Sequence, residues 1–141
     1  MNIAAMNHRG WPIKTDSGKH VIDSNGWIAY REDKAPHAAA IEPLIVDTEN
    51  LLVPTIVFYE VFKYFEREYG HKDAIEVGYA MKKSRIIDLD FVLSFQAVEL
   101  ALDYELPMAD AMILAVARAY YAPLYTLDSH LKDIPGVNYL G

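Results

Sequence analysis

Four acidic residues, Asp23, Glu60, Asp110 and Asp128, have the types and the placing to do chemistry together. Asp110 is the plainest case, because it is the lone polar residue of "LPMADAMILAVA" (106–117). Desolvating an ionised carboxylate is costly unless a hydrogen bond, an ion pair or a metal compensates it. Asp23 follows the apolar run "HVI", Asp128 lies two residues past "PLYT", and Glu60 sits in the second turn of the helical stretch after "NLLVP". Strand exits and helix starts converge at one end of an α/β sheet, where ligands bind. Each acid also has a local account. Asp23 can cap the helix that follows it. Asp110 is favoured by a helix dipole. Asp128 suits an Asx-turn. Glu60 can pair with Lys63, although such a surface pair contributes only about 0.2–0.5 kcal/mol. A shared cation accounts for all four at once.

The elements that must position these acids follow from periodicity. "HVID" (20–23) reads as a buried strand and "SNGWIAYRED" (24–33) as a helix, followed by a second helix over "PHAAAIEPLI" (36–45) opened by Pro36 and weakened near its end by Pro43. "NLLVP" (50–54) is a strand, and Thr55 can cap the amphipathic helix "IVFYEVFKYFEREY" (56–69), which stops at Gly70. A helix over 71–83, the strand "RIIDL", helices over 90–104 and 107–121, and the strands "PLYT" and "VNYL" complete the chain. Short strands separated by helices predict a three-layer α/β sandwich around a mostly parallel sheet of four to five strands. Residues 1–18, with Gly10, Pro12 and Gly18, read as a flexible extension ahead of one domain over 19–141.

Composition narrows the function classes. The chain has 141 residues, 52% hydrophobic, enough for one sizeable core. There is no cysteine, which excludes disulfides, thiolate zinc sites and cysteine nucleophiles. The histidines are scattered without metal-ligand spacing. No apolar run spans a bilayer and the N-terminus has no apolar core of a signal peptide, so the expectation is a cytoplasmic protein with no membrane association. A net charge of -7 is the wrong sign for a polyanionic partner unless something offsets it. The basic cluster Lys82, Lys83, Arg85 is read as complementing a helix C-terminus. Phe58, Phe62 and Phe65 recur at helical spacing and read as core. Trp27 and the ten tyrosines suit either core or an interface.

"VIDSNGWIAY", the glutamate of "TIVFYEVFKYF", "LPMADAMILAVA" and "LYTLDSHLKDIPGVNYL" resemble the acidic motifs of the PIN-domain ribonucleases, in particular the VapC toxins of bacterial and archaeal toxin–antitoxin pairs. The resemblance runs from about residue 20 to the C-terminus, and its most specific part is the order Asp, Glu, Asp, Asp with the last two 18 residues apart. It departs in Leu131 after His130, in Tyr121-Ala122-Pro123 at a turn, and in the extension before Lys19. The resemblance implies that Asp23, Glu60, Asp110 and Asp128 form a metal-binding catalytic cluster, with Ser24 and Thr126 as supporting hydroxyls. It also implies an RNA substrate, a cognate antitoxin and a homodimer. All-oxygen ligands suit Mg²⁺ or Mn²⁺, which would also offset the charge of the acidic pocket towards phosphate. The rival classes are a receiver-like or phosphohydrolase α/β domain and a non-catalytic PIN-like module that binds RNA or protein. A receiver would need an acidic pair where this chain has Asp23-Ser24, and an aspartate-nucleophile phosphatase a second Asp where it has "DSN".

Overall fold

Five short parallel strands carry the site, and each is explained by burial. The computed structural model describes residues 13–141; most of the 1–18 extension expected from sequence therefore lies outside the described residues. The elements are β1 (His20–Ile22), α1 (Ser24–Arg31), α2 (His37–Val46), β2 (Leu51–Pro54), α3 (Thr55–Glu68), α4 (His71–Lys82), β3 (Arg85–Ile87), α5 (Phe91–Tyr104), α6 (Met108–Ala119), β4 (Leu124–Thr126) and β5 (Val137–Tyr139). A 3-10 turn, Ser129–Leu131, follows β4.

The strand order is β3-β2-β1-β4-β5, with every pairing parallel. The expected mostly parallel sheet is thus wholly parallel among the described strands. β1 and β2 are buried at every residue, the apolar signature of a central parallel strand. Two double-helix crossovers carry the chain from β1 to β2 to β3. A third, α5–α6, returns it to the other side of β1. Right-handed crossovers distribute α1–α4 and α5–α6 to opposite faces, a three-layer α/β sandwich. The order also sets aside the receiver-like alternative, because receivers follow the order 2-1-3-4-5.

The core joins Val21, Ile22, Leu51, Leu52 and Leu124 of the strands to Trp27, Ile41, Met81, Ile113 and Leu114 of the helices. Trp27 is core, at 1% exposure. Gly26 lets α1 lie close to β1: a Cβ there would stand 2.7 Å from Ile22 Cγ2 and 3.2 Å from Ile41 Cδ1.

Two local expectations change and one holds. Thr55 does not cap α3 but begins it, because Pro54 ends β2 in extended backbone; the Thr55 hydroxyl accepts instead from Leu89 N at 3.3 Å. As expected, α2 includes Pro43, which cannot donate to Ala39, close to its end at Val46. Of the three phenylalanines only Phe65 is buried; Phe58 and Phe62 are partly buried and stack with centroids 5.6 Å apart beside a groove between α3 and α4. Among the described residues no helix is long and apolar enough to cross a membrane.

Candidate active site

The order of the sheet reverses at β1, with β2 on one side and β4 on the other. In an open parallel sheet a crevice forms outside the carboxyl ends of two such strands. Asp23 is the first residue after β1 and Thr126 the last of β4, so both lie at that crevice. The backbone joins them too, since Asp23 N donates to Tyr125 O at 2.9 Å.

Asp23 is 4% exposed and fully engaged. Its Oδ1 accepts from Ser24 N at 2.8 Å, which caps α1, and its Oδ2 accepts from the Thr126 hydroxyl at 2.7 Å. Burial pushes its carboxyl above the ordinary range, the bonds from Thr126 and Ser24 work against that, and the charge of Glu60 adds to it. The capping role read from sequence is therefore real, but one carboxyl oxygen and a buried hydroxyl reach beyond it.

Thr126 is completely buried and forms the hub of the crevice floor. Its Oγ1 also accepts from Asn25 Nδ2 at 3.3 Å and from Asp128 N at 3.1 Å, while Asn25 Oδ1 accepts from Leu127 N at 3.1 Å. Asn25 thus ties the start of α1 to the exit of β4. Sequence reasoning missed this role, because the one signal, Asn after Asp-Ser, reads equally as a helix start.

Glu60 projects from the second turn of α3 towards α1, where the Ser24 hydroxyl donates to its Oε1 at 2.7 Å. The same hydroxyl oxygen lies 3.4 Å from Asp23 Oδ1, so Ser24 stands between two carboxylates. Among the described residues Lys63 makes no ion pair with Glu60; its ammonium lies over the Tyr59 ring, 5.6 Å from the centroid. The local explanation for Glu60 is therefore not the one the fold uses.

Asp110 is the third residue of α6, half-buried, and among the described residues its carboxylate makes no hydrogen bond or ion pair. Its pKa is raised to about 6, first by burial and then by the charges of Asp23, Asp128 and Glu60, with His130 opposing. The acids that raise it are the other three of the sequence pattern, so α6 delivers Asp110 to the same end of the sheet.

Asp128 caps the 3-10 turn: its Oδ1 accepts from His130 N at 2.9 Å, and the His130 ring Nδ1 lies 2.9 Å from the same oxygen. Its Asx-type role is formed, and its charge still reaches Asp110.

The fold therefore brings Asp23, Ser24, Glu60 and Thr126 into direct contact and sets Asp110 and Asp128 within electrostatic reach. Among the described residues no three Asp, Glu or His side chains are gathered tightly enough to hold a metal ion as they stand. Repulsion between unit charges about 4 Å apart, roughly 4 kcal/mol at an effective dielectric of 20, works against such gathering. The donor set is oxygen only, and Asp23, Glu60 and Asp110 have no Lys or Arg partner among the described residues. That combination fits a hard divalent cation.

Comparison with known proteins agrees with this geometry. A sequence model of the PIN domain matches residues 20–137. No curated protein matches the sequence. Among solved structures, a toxin–antitoxin complex from Klebsiella pneumoniae is similar at TM-score 0.72 and 22% identity, over 85% of this chain and 96% of that one. VapBC2 from Rickettsia felis, bound to a DNA fragment of its promoter, is similar at TM-score 0.67 and 19% identity, over 85% and 97%. VapC20 of Mycobacterium tuberculosis, a toxin that cleaves the Sarcin-Ricin loop, is similar at TM-score 0.63 and 17% identity, over 77% and 88%. At these identities the likeness is one of fold. With nearly the whole described chain inside the family match and the acids at the strand reversal that such a sheet dictates, the chain belongs to the PIN domain family.

Proposed function

We propose that this chain is a Mg²⁺- or Mn²⁺-dependent endoribonuclease that hydrolyses RNA phosphodiester bonds, and that it acts as the toxin of a VapBC-type pair. The observation that carries the reading is Asp110: a half-buried carboxylate raised to about 6, with its principal charged neighbours being three further acids at one crevice. Perturbed carboxylates in a cleft mark functional sites when their perturbers are specific.

Asp23 and Asp110 would be the main residues to hold the ion, with Glu60 and Asp128 completing the site. Such an ion supplies charge neutralisation and an activated water for phosphodiester hydrolysis. The chain's own contribution is positioning. Thr126 and Ser24 fix the two oxygens of Asp23, and the Ser24 hydroxyl holds Glu60 towards the crevice. The helix start of α6 brings Asp110 within electrostatic reach of Asp23 and Glu60.

The partner reading is supported by the neighbours, since the solved complexes from Klebsiella pneumoniae and Rickettsia felis are toxin–antitoxin assemblies. An antitoxin would lay an apolar and basic segment over the acidic crevice. The homodimer is supported by a stripe on α5: Phe91, Phe95, Val98 and Leu102 recur at helical spacing and are 83%, 65%, 59% and 77% exposed. Contiguous apolar surface of that kind marks a protein interface. Cytoplasmic activity follows from the same reading.

The test is cleavage of a panel of tRNA, rRNA and mRNA with Mg²⁺, with Mn²⁺ and in excess EDTA. Cleavage that needs the ion supports the proposal. Undiminished cleavage in EDTA, with contaminating nuclease removed, defeats it.

A further inference from the structure

A groove of about 370 Å³ leaves the acid cluster between α1 and α3. Ser24 and Glu60 stand at its mouth with Tyr59 beside them, and Lys63, Tyr64 and Arg67 line it further along α3. Its chemistry is unlike that of the crevice. Tyr59 is 59% exposed, with the Lys63 ammonium 5.6 Å from its ring centroid. One turn on, the Arg67 guanidinium lies 5.8 Å from the Tyr64 ring centroid. Among the described residues Lys63 has no carboxylate partner, although Glu60 precedes it by one turn. Arg67 Nε bonds Glu68 Oε1 at 2.9 Å, an exposed pair of the kind that is readily exchanged for another anion.

The placing of these cations is specific. The chain carries a net charge of -7 and its sheet ends in four acids. The basic cluster Lys82, Lys83, Arg85 belongs to the end of α4 and the start of β3, at the opposite, amino end of the strands. Lys63 and Arg67 are therefore cations beside the acidic crevice rather than part of a generally basic surface. The neighbouring groove between α3 and α4, lined by Phe58, Phe62 and Ile75, is apolar and suits a protein segment instead.

We infer that the α1–α3 groove is the track for a single-stranded segment of RNA leaving the scissile position, with Tyr59 as a stacking platform and Lys63 and Arg67 as phosphate contacts. Exposed rings interleaved with cations are the surface that single strands use, because every base has a stacking face and every phosphate a charge. The dimensions agree. Arg67 lies seven helical steps beyond Glu60, about 10 Å along the axis, room for about three nucleotides at the stacked rise of about 3.4 Å each. The inference rests on the ribonuclease reading and adds to it the surface that positions the substrate.

The experiment uses the full chain in EDTA, so that binding is read without cleavage. Fluorescence anisotropy with a labelled oligouridylate of about 12 nucleotides gives affinity across a salt series. Lys63→Ala and Arg67→Ala should each weaken binding and reduce the salt slope by about 0.7. Tyr59→Ala should weaken it at least about five-fold with the slope unchanged, and Tyr59→Phe should restore it. Lys83→Ala, at the other end of the sheet, should bind like wild type. These side chains are exposed, and thermal melts verify that the variants fold. Wild-type affinity in the Tyr59, Lys63 and Arg67 variants would overturn the inference, as would no binding of the probe by the wild-type chain. Loss of a protein partner with RNA affinity intact would overturn it in favour of a protein surface. The ribonuclease reading fails separately, if Asp110→Asn still cleaves RNA.

Discussion

The hydroxyl of Thr126, the last residue of β4, donates to Oδ2 of Asp23, the first residue after β1, at 2.7 Å across the point where the strand order reverses. The two residues are 103 positions apart in the chain, and their bond closes the floor of the crevice. Thr126→Val keeps the volume and removes the hydroxyl. Asp23 Oδ2 then loses its donor, and Asn25 Nδ2 and Asp128 N lose their acceptor. Partners that orient metal ligands are worth about 10–100-fold in metal affinity or activity. The expected outcome is a Mn²⁺ requirement for cleavage shifted upward by that order, with Thr126→Ser restoring it. A Val variant with an unshifted Mn²⁺ titration would show that the bond serves folding alone.

Asp110→Asn separates a catalytic from a structural carboxylate. A helix-start acid contributes only about 0.3–1 kcal/mol through the dipole, whereas Asp110 faces three further negative charges. Removing its charge should abolish cleavage while the melting temperature in EDTA stays level or rises, because repulsion is relieved. A variant that cleaves at near wild-type rate would remove the central residue of the proposed site.

Gly26→Ala tests how α1 is seated. Alanine gains about 1 kcal/mol in helix propensity over glycine. Its Cβ would stand 2.7 Å from Ile22 Cγ2, in a fully buried strand that has no room to yield. Overpacking of this kind costs about 1–3 kcal/mol, so the clash should win. The expected result is a lower melting temperature, with cleavage reduced as well because α1 carries Ser24 and Asn25. A stabilised variant would mean that α1 can slide outward without disturbing the crevice.

A pH effect should come from Glu32, at the C-terminus of α1. The Lys34 ammonium 2.8 Å away, then the hydroxyls of Tyr69 and Tyr64, hold its carboxyl down to about 2. Tyr69 is correspondingly pushed up to about 12 by the bond it donates to Glu32. A carboxyl whose folded value lies below its unfolded value of 4.5 contributes stability above that pH and loses it as pH falls towards 2. Wild type should therefore melt above Glu32→Gln at pH 7, and the gap should close between about pH 4.5 and 2. A gap that does not change with pH would mean the Gln variant loses packing rather than charge.

Much of this protein is legible along the chain because the governing effects are local. Apolar runs bounded by turn residues mark "HVI", "LLVP" and "LYT" as strands, and 3.6-residue periodicity marks the helices, since each pattern depends on neighbours a few positions away. The order Asp23, Glu60, Asp110, Asp128 can be read in the same way, each acid at a strand exit or in the opening turns of a helix. What those acids touch is different. That Thr126 bonds Asp23 depends on β4 lying beside β1, a pairing between segments a hundred residues apart that no local pattern encodes. Asn25 reads as a helix start and proves to be a brace, because its side chain meets Thr126 and Leu127 only after that pairing. Lys63 is one helical turn from Glu60, yet it turns to Tyr59 while Glu60 takes the Ser24 hydroxyl from α1. Helical spacing places side chains within reach of one another; packing between elements decides which neighbour each one chooses.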